Sequence, residues 1–381
     1  MKILLVGEYS GLHNTLKEAL IELGHEVTLM GTQDGFKEFP VDLDYGPVIS
    51  SHKIASPLVS LLYKVTRVNL TSIERALRFY VLLPKAKNHD IVQLINENSI
   101  KTAPALEKIL LKRLFKNNHS IFLLSCGTDY ISLKYAFDKK FRYSILTPFF
   151  KNPDLSSYYR FILAKLKPNN YRLHSFIFDN IKGVIASDMD YHIPLIGHKK
   201  YLGLIPNPIN LKNIPYTSME VGDKVIIFHG INKSNYIKKG NDLFEEALKT
   251  IKNKFPERVK VINTYDLPYT DYLKSYNKCH ILLDQVYAYD QGYNALFAMA
   301  RGKVVFTGAE KEWLETYLLK EDTVAINALP DPKKIAEKLE WLITNPKKIE
   351  EISKNARKFI EKEHDYLNIG KKYLEVWSKS I

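Results

Sequence analysis

Short aliphatic and β-branched runs recur along this 381-residue chain, separated by longer stretches with helical spacing, and this alternation leaves few folds open. The runs Ile3–Val6, Val27–Met30, Ile91–Leu94, Ile121–Leu124 and Gly183–Ala186 read as strands of one doubly wound parallel sheet. Residues Leu204–Tyr216, with Pro206, Pro208 and Pro215, read as a break or linker. Alternation then restarts with Val225–Phe228, Val259–Asn263, His280–Leu283, Val304–Thr307 and Thr323–Ile326. Two Rossmann-like halves are the economical reading, and the length comfortably builds two cores. Beyond Pro330 the tail is charged and helical, with Leu339, Leu342, Ile349, Ile352, Ala356 and Phe359 at helical spacing.

Two segments of the second half carry anion-binding chemistry. From Leu283 to Gly308 the chain reads as a strand end, a polar turn around Gly292, a short helix from Asn294 to Ala300 and a further strand. A helix start leaves backbone N–H groups without intrahelical partners, and a diphosphate suits them. An ordinary βαβ unit without ligand is the alternative. From Lys224 to Leu248 a buried strand gives way to a turn at His229-Gly230, a lysine-rich loop, and Lys239-Gly240 opening a helix that Asn241 or Asp242 can cap. Lysines at a helix start oppose its dipole unless an anion docks there, so this loop reads as a phosphate site or else as a solvated basic loop.

Composition narrows the function classes. Apolar content of 45% and charged content of 25% are ordinary for a globular protein. Cys126 and Cys279 lie far apart without metal-type spacing, which argues against a zinc site or disulfide framework and fits a reducing compartment. The first apolar run is too short for a signal peptide, and no run approaches a membrane span, so a cytoplasmic location is expected. A net charge of +13 asks for a polyanionic partner. Without zinc-finger spacing, an RNA-binding signature or a basic tail, nucleic acid is not expected. Two basic, aromatic stretches resemble interfacial helices: one holds Lys64, Arg67, Arg75, Arg78, Lys85 and Lys87, the other Tyr158, Arg160, Phe161, Lys165, Lys167 and Arg172. Surface helices with snorkelling cations are the alternative; peripheral contact with an anionic inner membrane face is the sharper expectation.

Several of these pieces, in order, resemble the GT-B glycosyltransferases, specifically the large retaining group called family four. The opening MKILLVGEYSGLHNTLKEALIELGHEVTLMG resembles that family's first strand, glycine loop, helix and second strand. GLIPNPIN resembles its hinge, HGINKSNYIKKG its phosphate loop, and ALFAMARGKVV the helix and strand after its glycine turn. The resemblance implies an acceptor-binding N-terminal domain at 1–208, a nucleotide-sugar domain at 209–365, and a last helix at 366–381 crossing back onto the first domain. It implies transfer of a sugar from a nucleotide diphosphate sugar to a hydroxyl of a lipid-linked or polysaccharide acceptor, with retention and without a required metal or cofactor.

The matching donor-site positions are Gly11, His229, Gly230, Lys233, Lys239, Gly240, Gly292, Tyr293 and Asn294. Lys239 would neutralise diphosphate charge, and the amides of Tyr293 and Asn294 would take phosphate oxygens. Gly11 would let backbone approach the donor. His13 would reach acceptor or sugar, or simply pack at a helix start. Asn96 can bind a sugar hydroxyl but is useless as a base. Asp129 reads as an acceptor-side polar group or a helix cap. The triplets Asp42-Leu43-Asp44 and Asp188-Met189-Asp190 invite a metal reading, which this family's use of lysines and helix dipoles argues against.

The chain also departs from the family. Ile231 stands where an arginine usually follows the phosphate-loop glycine, leaving Lys233, Lys238 and Lys239 as the cations. The paired glutamates align with Tyr289 and Phe297, so Asp284 or Asp290 would have to take over a hydroxyl contact. These departures motivate a degenerate protein that binds glycan or nucleotide without turnover; a sugar-nucleotide epimerase is the further alternative.

Overall fold

The computed structural model describes residues 1–34, 38–52, 56–66, 69–216, 218–267, 271–272, 274 and 277–381. Arg67 of the first basic stretch lies outside them. The first half forms a seven-stranded parallel sheet from β1 (Lys2–Val6), β2 (Glu26–Gly31), β3 (Leu43–Asp44), β4 (Ile91–Leu94), β5 (Ser120–Ser125), β6 (Gly183–Ala186) and β7 (Tyr201–Leu204), in the order β3-β2-β1-β4-β5-β6-β7. The second half forms a five-stranded parallel sheet from β8 (Val225–Ile231), β9 (Val259–Tyr265), β10 (Ile281–Leu283), β11 (Val304–Thr307) and β12 (Ile326–Asn327), in the order β12-β11-β10-β8-β9.

Period-two alternation explains why helices cover both faces of the first sheet. Leu4, Val6, Val92, Leu94, Leu123 and Val184 turn to one face, where they pack with Phe79, Leu110 and Ile177. Ile3, Leu5, Ile91, Phe122, Leu124 and Ile185 turn to the other, against Leu12, Leu16 and Trp377. Both faces are apolar because a parallel sheet is buried on both. Trp377 belongs to the last helix, Tyr366–Lys379, which crosses back from the second lobe. There Gly370 comes so close to the helix Leu12–Glu22 that a Cβ would stand 3.0 Å from that of Ala19.

The two crossings between lobes run side by side. Ile209 donates its N–H to His364 O at 2.7 Å and accepts from Tyr366 N at 3.3 Å. His364 is buried with Nδ1 2.8 Å from Asn207 O, and burial lowers its pKa to about 4, so the ring is neutral. The proline-rich interval is therefore a paired hinge rather than a loose linker.

Two strands escape the sequence reading. β3 has two residues, and β7 is a half-buried edge strand whose last residue, Leu204, looks like the start of the proline break. β8 also runs past the expected turn at His229-Gly230 to Ile231, because β9 pairs with it out to Tyr265.

Candidate functional site

Strand order reverses between β8 and β10, so the loops leaving their carboxyl ends diverge and open a crevice. A cavity of about 400 Å³ lies there, lined by Gly230, Lys239, Asp284, Gly292, Tyr293 and Asn294 among others. Gly230 has no room for a side chain: a Cβ would sit 2.4 Å from Cε2 of Tyr272, whose ring leans on the bare backbone. The Tyr272 hydroxyl donates to Asn294 Oδ1 at 2.9 Å, tying the cavity wall to the helix Tyr293–Ala300. Gly292 caps that helix, whose first amides open toward the cavity without intrahelical partners.

Lys239 ends a single helical turn, Tyr236–Lys239, and Gly240 at φ 71° swings the chain into the helix Asn241–Lys254. The expected conflict between lysine and helix dipole does not arise, since Lys239 closes one turn rather than opening the long helix. Its Nζ lies 2.9 Å from Asp284 Oδ1, which also accepts from Asn294 Nδ2 at 2.8 Å. Asp284 Oδ2 is buried with no hydrogen-bond partner. An unsatisfied acceptor oxygen therefore lies within the cavity wall, behind the oxygen that Lys239 and Asn294 hold.

Some expected donor-side residues stand elsewhere. Neither Asn241 nor Asp242 caps the helix; Asn241 Oδ1 instead accepts from His229 Nε2 at 2.8 Å. His229 is fully buried behind the cavity, neutral because burial lowers its pKa. Lys233 points to solvent, its backbone N–H held by Asp266 Oδ1 at 3.0 Å, and it does not line the cavity. Phe297, at one missing glutamate, packs on Tyr293 with centroids 5.7 Å apart and gives the cavity an apolar wall. Tyr289, at the other, accepts through its hydroxyl from Arg142 N at 2.9 Å, at the seam between lobes. Arg142 itself grips Glu310 and Glu312 at 2.6 Å each, and the Tyr143 hydroxyl bonds to Glu310.

A second cavity, about 500 Å³, lies on the first lobe's side and shares Asn235, Lys239, Gln285 and Gly292 with the first. Its first-lobe wall includes Ser132, Phe141 and Ile145. Lys165 reaches in with Nζ 2.6 Å from Thr128 O, and burial lowers its pKa. The second basic stretch turns partly inward, since Tyr159 is buried and the Tyr158 hydroxyl donates to Ser234 O at 3.0 Å across the lobes, while Arg160, Phe161, Lys167 and Arg172 stay exposed.

Asp188, Asp190 and Asp290 meet at the floor of this second cavity with ligand oxygens within 4.8 Å of one another. They also latch the lobes reciprocally. Asp190 Oδ2 accepts from Tyr289 N at 3.1 Å, and Asp290 Oδ2 from Met189 N at 2.9 Å. Burial raises the pKa of Asp190 to about 7 and drives those of Asp188 and Asp290 well up, with mutual repulsion adding to both. Asp290 is therefore a seam residue rather than a replacement for the lost glutamates. The other triplet is structural: Asp42 pairs with Lys17 and Asp44 accepts from Gly46 N at 2.6 Å.

The expected first-lobe residues are largely used for packing. Gly11 takes φ 85° at the start of its helix and donates its N–H to Glu8 Oε1 at 2.9 Å. Because Glu8 also takes the N–H and amide of Asn14, a carboxylate already occupies this helix start, against the expected approach of the donor. His13 is fully buried, with Nδ1 2.7 Å from Gly7 O, and burial lowers its pKa to about 3. It packs at the helix start and cannot carry protons near neutral pH. Asp129 caps the helix Tyr130–Phe137, accepting from Ser132 N at 2.7 Å and from the Ser125 hydroxyl. Asn96 is buried, its Oδ1 accepting from Asn98 N at 2.8 Å, so it shapes the loop after β4. Sequence reasoning passed over Tyr272 and the seam residue Arg142, and gave Lys165 only to a basic surface stretch. Only the Asp-x-Asp spacing at 188–190 carried a signal, and it pointed to metal chemistry.

Residues 240–375 match the family model described as glycosyl transferase-like. No curated protein sequence matches the chain significantly. Among solved structures, sucrose-phosphate synthase from Thermosynechococcus elongatus is similar with a TM-score of 0.62 at 14% identity, covering 100% of this chain and 99% of that one. Anabaena HepE, in complex with UDP-glucose, gives 0.61 at 15% identity with 100% of both chains covered. A structure named as a UDP-N-acetylglucosamine 2-epimerase from Listeria monocytogenes gives 0.53 at 10% identity, covering 99% and 96%. At such identities the likeness establishes the fold. The chain has the two-lobed GT-B fold, and its residues 240–375 are similar to the glycosyl transferase-like family model.

Proposed function

We propose that this protein transfers a sugar from a nucleotide diphosphate sugar to a hydroxyl of a lipid-linked or polysaccharide acceptor. The observation that carries this is the meeting of two interlobe cavities at Lys239 and Gly292, one walled by the second lobe and one largely by the first. A donor in the first cavity would lay its base against Tyr272 and Phe297, and its diphosphate against the Lys239 ammonium and the amides of Tyr293 and Asn294. Charge on the diphosphate grows as the glycosidic bond breaks, so these groups stabilise the transition state more than the ground state. The acceptor hydroxyl would arrive from the second cavity. The functional units are residues 1–208 for the acceptor, 209–365 for the donor and 366–381 as the return helix. The cations and amides at the diphosphate take the part a metal plays elsewhere, and the reaction proceeds with retention by a front-face route in which the leaving phosphate receives the acceptor proton. The structural match to HepE with UDP-glucose supports UDP-sugars as first donors to try.

Binding without turnover is a second reading, favoured by the Asp284 carboxylate that already pairs with Lys239. Incubation with a panel of UDP-sugars, with and without cell-envelope lipid and glycan acceptors and with and without EDTA, separates the readings. Acceptor-dependent UDP release that survives EDTA and leaves an axial or equatorial linkage matching the donor supports the transferase. Tight UDP binding without release supports the binder, and interconversion of the sugar supports an epimerase.

A further inference from the structure

The exposed large apolar side chains of this protein are concentrated in one place. Residues 48–81 supply 10 of the 22 such residues among those described, counting Val48, Ile49, Leu58, Leu61, Leu62, Val65, Ile73, Leu77, Tyr80 and Val81. Two helices, Ser56–Thr66 and Leu70–Leu82, carry most of them in a pattern that turns amphipathicity outward. In the second helix Ser72, Ala76 and Phe79 face the core, while Leu77 at 61% and Val81 at 72% exposure stand in water. In the first, Leu58, Leu61 and Val65 form an exposed i, i+3, i+7 stripe, with Val65 at 76%. A monomeric surface has no use for such a stripe on two neighbouring helices, so something covers it.

The charge around this face identifies the cover. Across residues 48–87 the sequence has one carboxylate, Glu74, against seven cations, of which Lys64, Arg75, Arg78, Lys85 and Lys87 are among the described residues and Lys53 and Arg67 lie outside them. Glu74 is half-buried, its carboxylate accepting from Val48 N, Ile49 N and Ser50 N at 2.8 Å each. That clasp fixes the loop that pushes Ile49 out to 75% exposure, and it ties the segment's single carboxylate to three backbone N–H groups. Burial opposes its ionisation, yet the amide bonds hold its pKa down to about 2, so the clasp stays closed at any physiological pH. Lys64, Lys85 and Lys87 are exposed at the rim, and the Arg113 guanidinium lies 4.8 Å from the Tyr80 ring, adding a cation from the neighbouring helix Pro104–Lys116.

We propose that this face is a docking surface for an anionic lipid bilayer, with the Ile49 loop and the two outward stripes entering the acyl boundary and the lysine rim meeting the headgroups. The combination of an apolar stripe with a lysine-rich border fits an interfacial helix pair better than a protein partner, whose surface would supply acidic groups only in patches. The face adjoins the cleft. Its inner side is tied to the loop after β4 by the Ser72 and Thr102 hydroxyls, 2.9 Å apart, and by Arg75 NH1 donating to Lys101 O at 3.2 Å. A bilayer seated there lies beside the carboxyl ends of the first sheet, where an acceptor anchored in that bilayer can enter. The docking inference stands on surface chemistry and does not rest on the donor reading.

The test is co-sedimentation of the full chain with vesicles of phosphatidylcholine alone and of phosphatidylcholine mixed with phosphatidylglycerol, in parallel with UDP binding on the same samples. The account expects binding to the mixed vesicles that weakens with salt, and weak binding to the neutral ones. Leu77→Glu with Val81→Glu, both at exposed sites, should lower vesicle affinity by about tenfold or more while leaving UDP binding and the melting temperature unchanged. Lys64→Glu with Lys85→Glu should lower affinity for the mixed vesicles by about fivefold for each lysine and leave neutral vesicles unaffected. Failure of the wild-type chain to sediment with either vesicle overturns the proposal, as does a concentration-dependent dimer that the Leu77→Glu, Val81→Glu variant abolishes, which would assign the face to a second copy. Loss of UDP binding in the wild type, by contrast, would strike only the donor reading.

Discussion

Replacing Lys239 with methionine separates a structural ion pair from a catalytic cation. Lys239 Nζ stands 2.9 Å from Asp284 Oδ1, the Asp284 side chain being 1% exposed and that of Lys239 33%. Removing one partner of a fully buried pair costs about 3–5 kcal/mol. Water reaches Lys239 and Asn294 still donates to the carboxylate, so the loss here should be nearer ~1–2 kcal/mol. The effect on turnover should be larger, because the proposed mechanism sets the ammonium against charge that develops in the transition state; losing it should lower kcat by about 10²–10³-fold. Adding Asp284→Asn removes the stranded carboxylate, so the double variant should regain most of its thermal stability while turnover stays low. Thermal melting and UDP-sugar turnover, measured on the wild type, both single variants and the double, decide the matter. Wild-type turnover in Lys239→Met, or turnover restored in the double variant, would refute the role given to this lysine.

Three further outcomes follow from packing and charge. Gly308→Ala would put a Cβ 2.5 Å from Ala288 O and 2.6 Å from Asp290 N, both backbone atoms, so calorimetry should show a loss near ~3 kcal/mol, the upper end for overpacking; an unchanged melt would show that the 288–290 loop yields freely. Trp377→Ala empties a fully buried site and breaks the indole N–H bond to Gln93 Oε1 at 3.1 Å, so urea titration should show a loss of ~3–5 kcal/mol, and a loss below ~1 kcal/mol would mean the return helix does not anchor the first lobe. Asp190 has a folded pKa of about 7, above its unfolded value, so the stability it contributes is full below the unfolded pKa of ~3.9 and is lost as pH rises through 7. The melting temperature should therefore fall over that window, less steeply in Asp190→Asn; identical slopes in the two proteins would contradict the assignment.

How far the sequence foretells this molecule depends on the range over which each contact is made. The sheets are local: β4, β6 and β11 lie where their apolar runs end, because a short run buried on both faces has no alternative. The two-residue β3 and edge strand β7 bury too little to leave such a signature. Backbone features of the site were also legible, since a glycine before a helix start marks the crevice at Gly292 whatever its neighbours do. Side-chain roles were not. Lys239 meets Asp284 across 45 residues, and Arg142 meets Glu310 across 168, so neither partner can be read from spacing. His13 and Asp129 have residue types that suit catalysis, yet the fold spends one on Gly7 and the other on a helix cap. The carboxylates at 188 and 190 acquire their raised pKa chiefly from burial, and Asp290, which comes from the other lobe, owes its own to burial and to the charge of both.

A crystal structure of the protein soaked with UDP tests the central claim most directly. The account predicts the diphosphate within hydrogen-bonding reach of Lys239 Nζ and of the Tyr293 and Asn294 amides, with the uracil in the cavity beside Tyr272. Density for UDP outside the crevice between β8 and β10, or an empty crevice at saturating UDP, would contradict it.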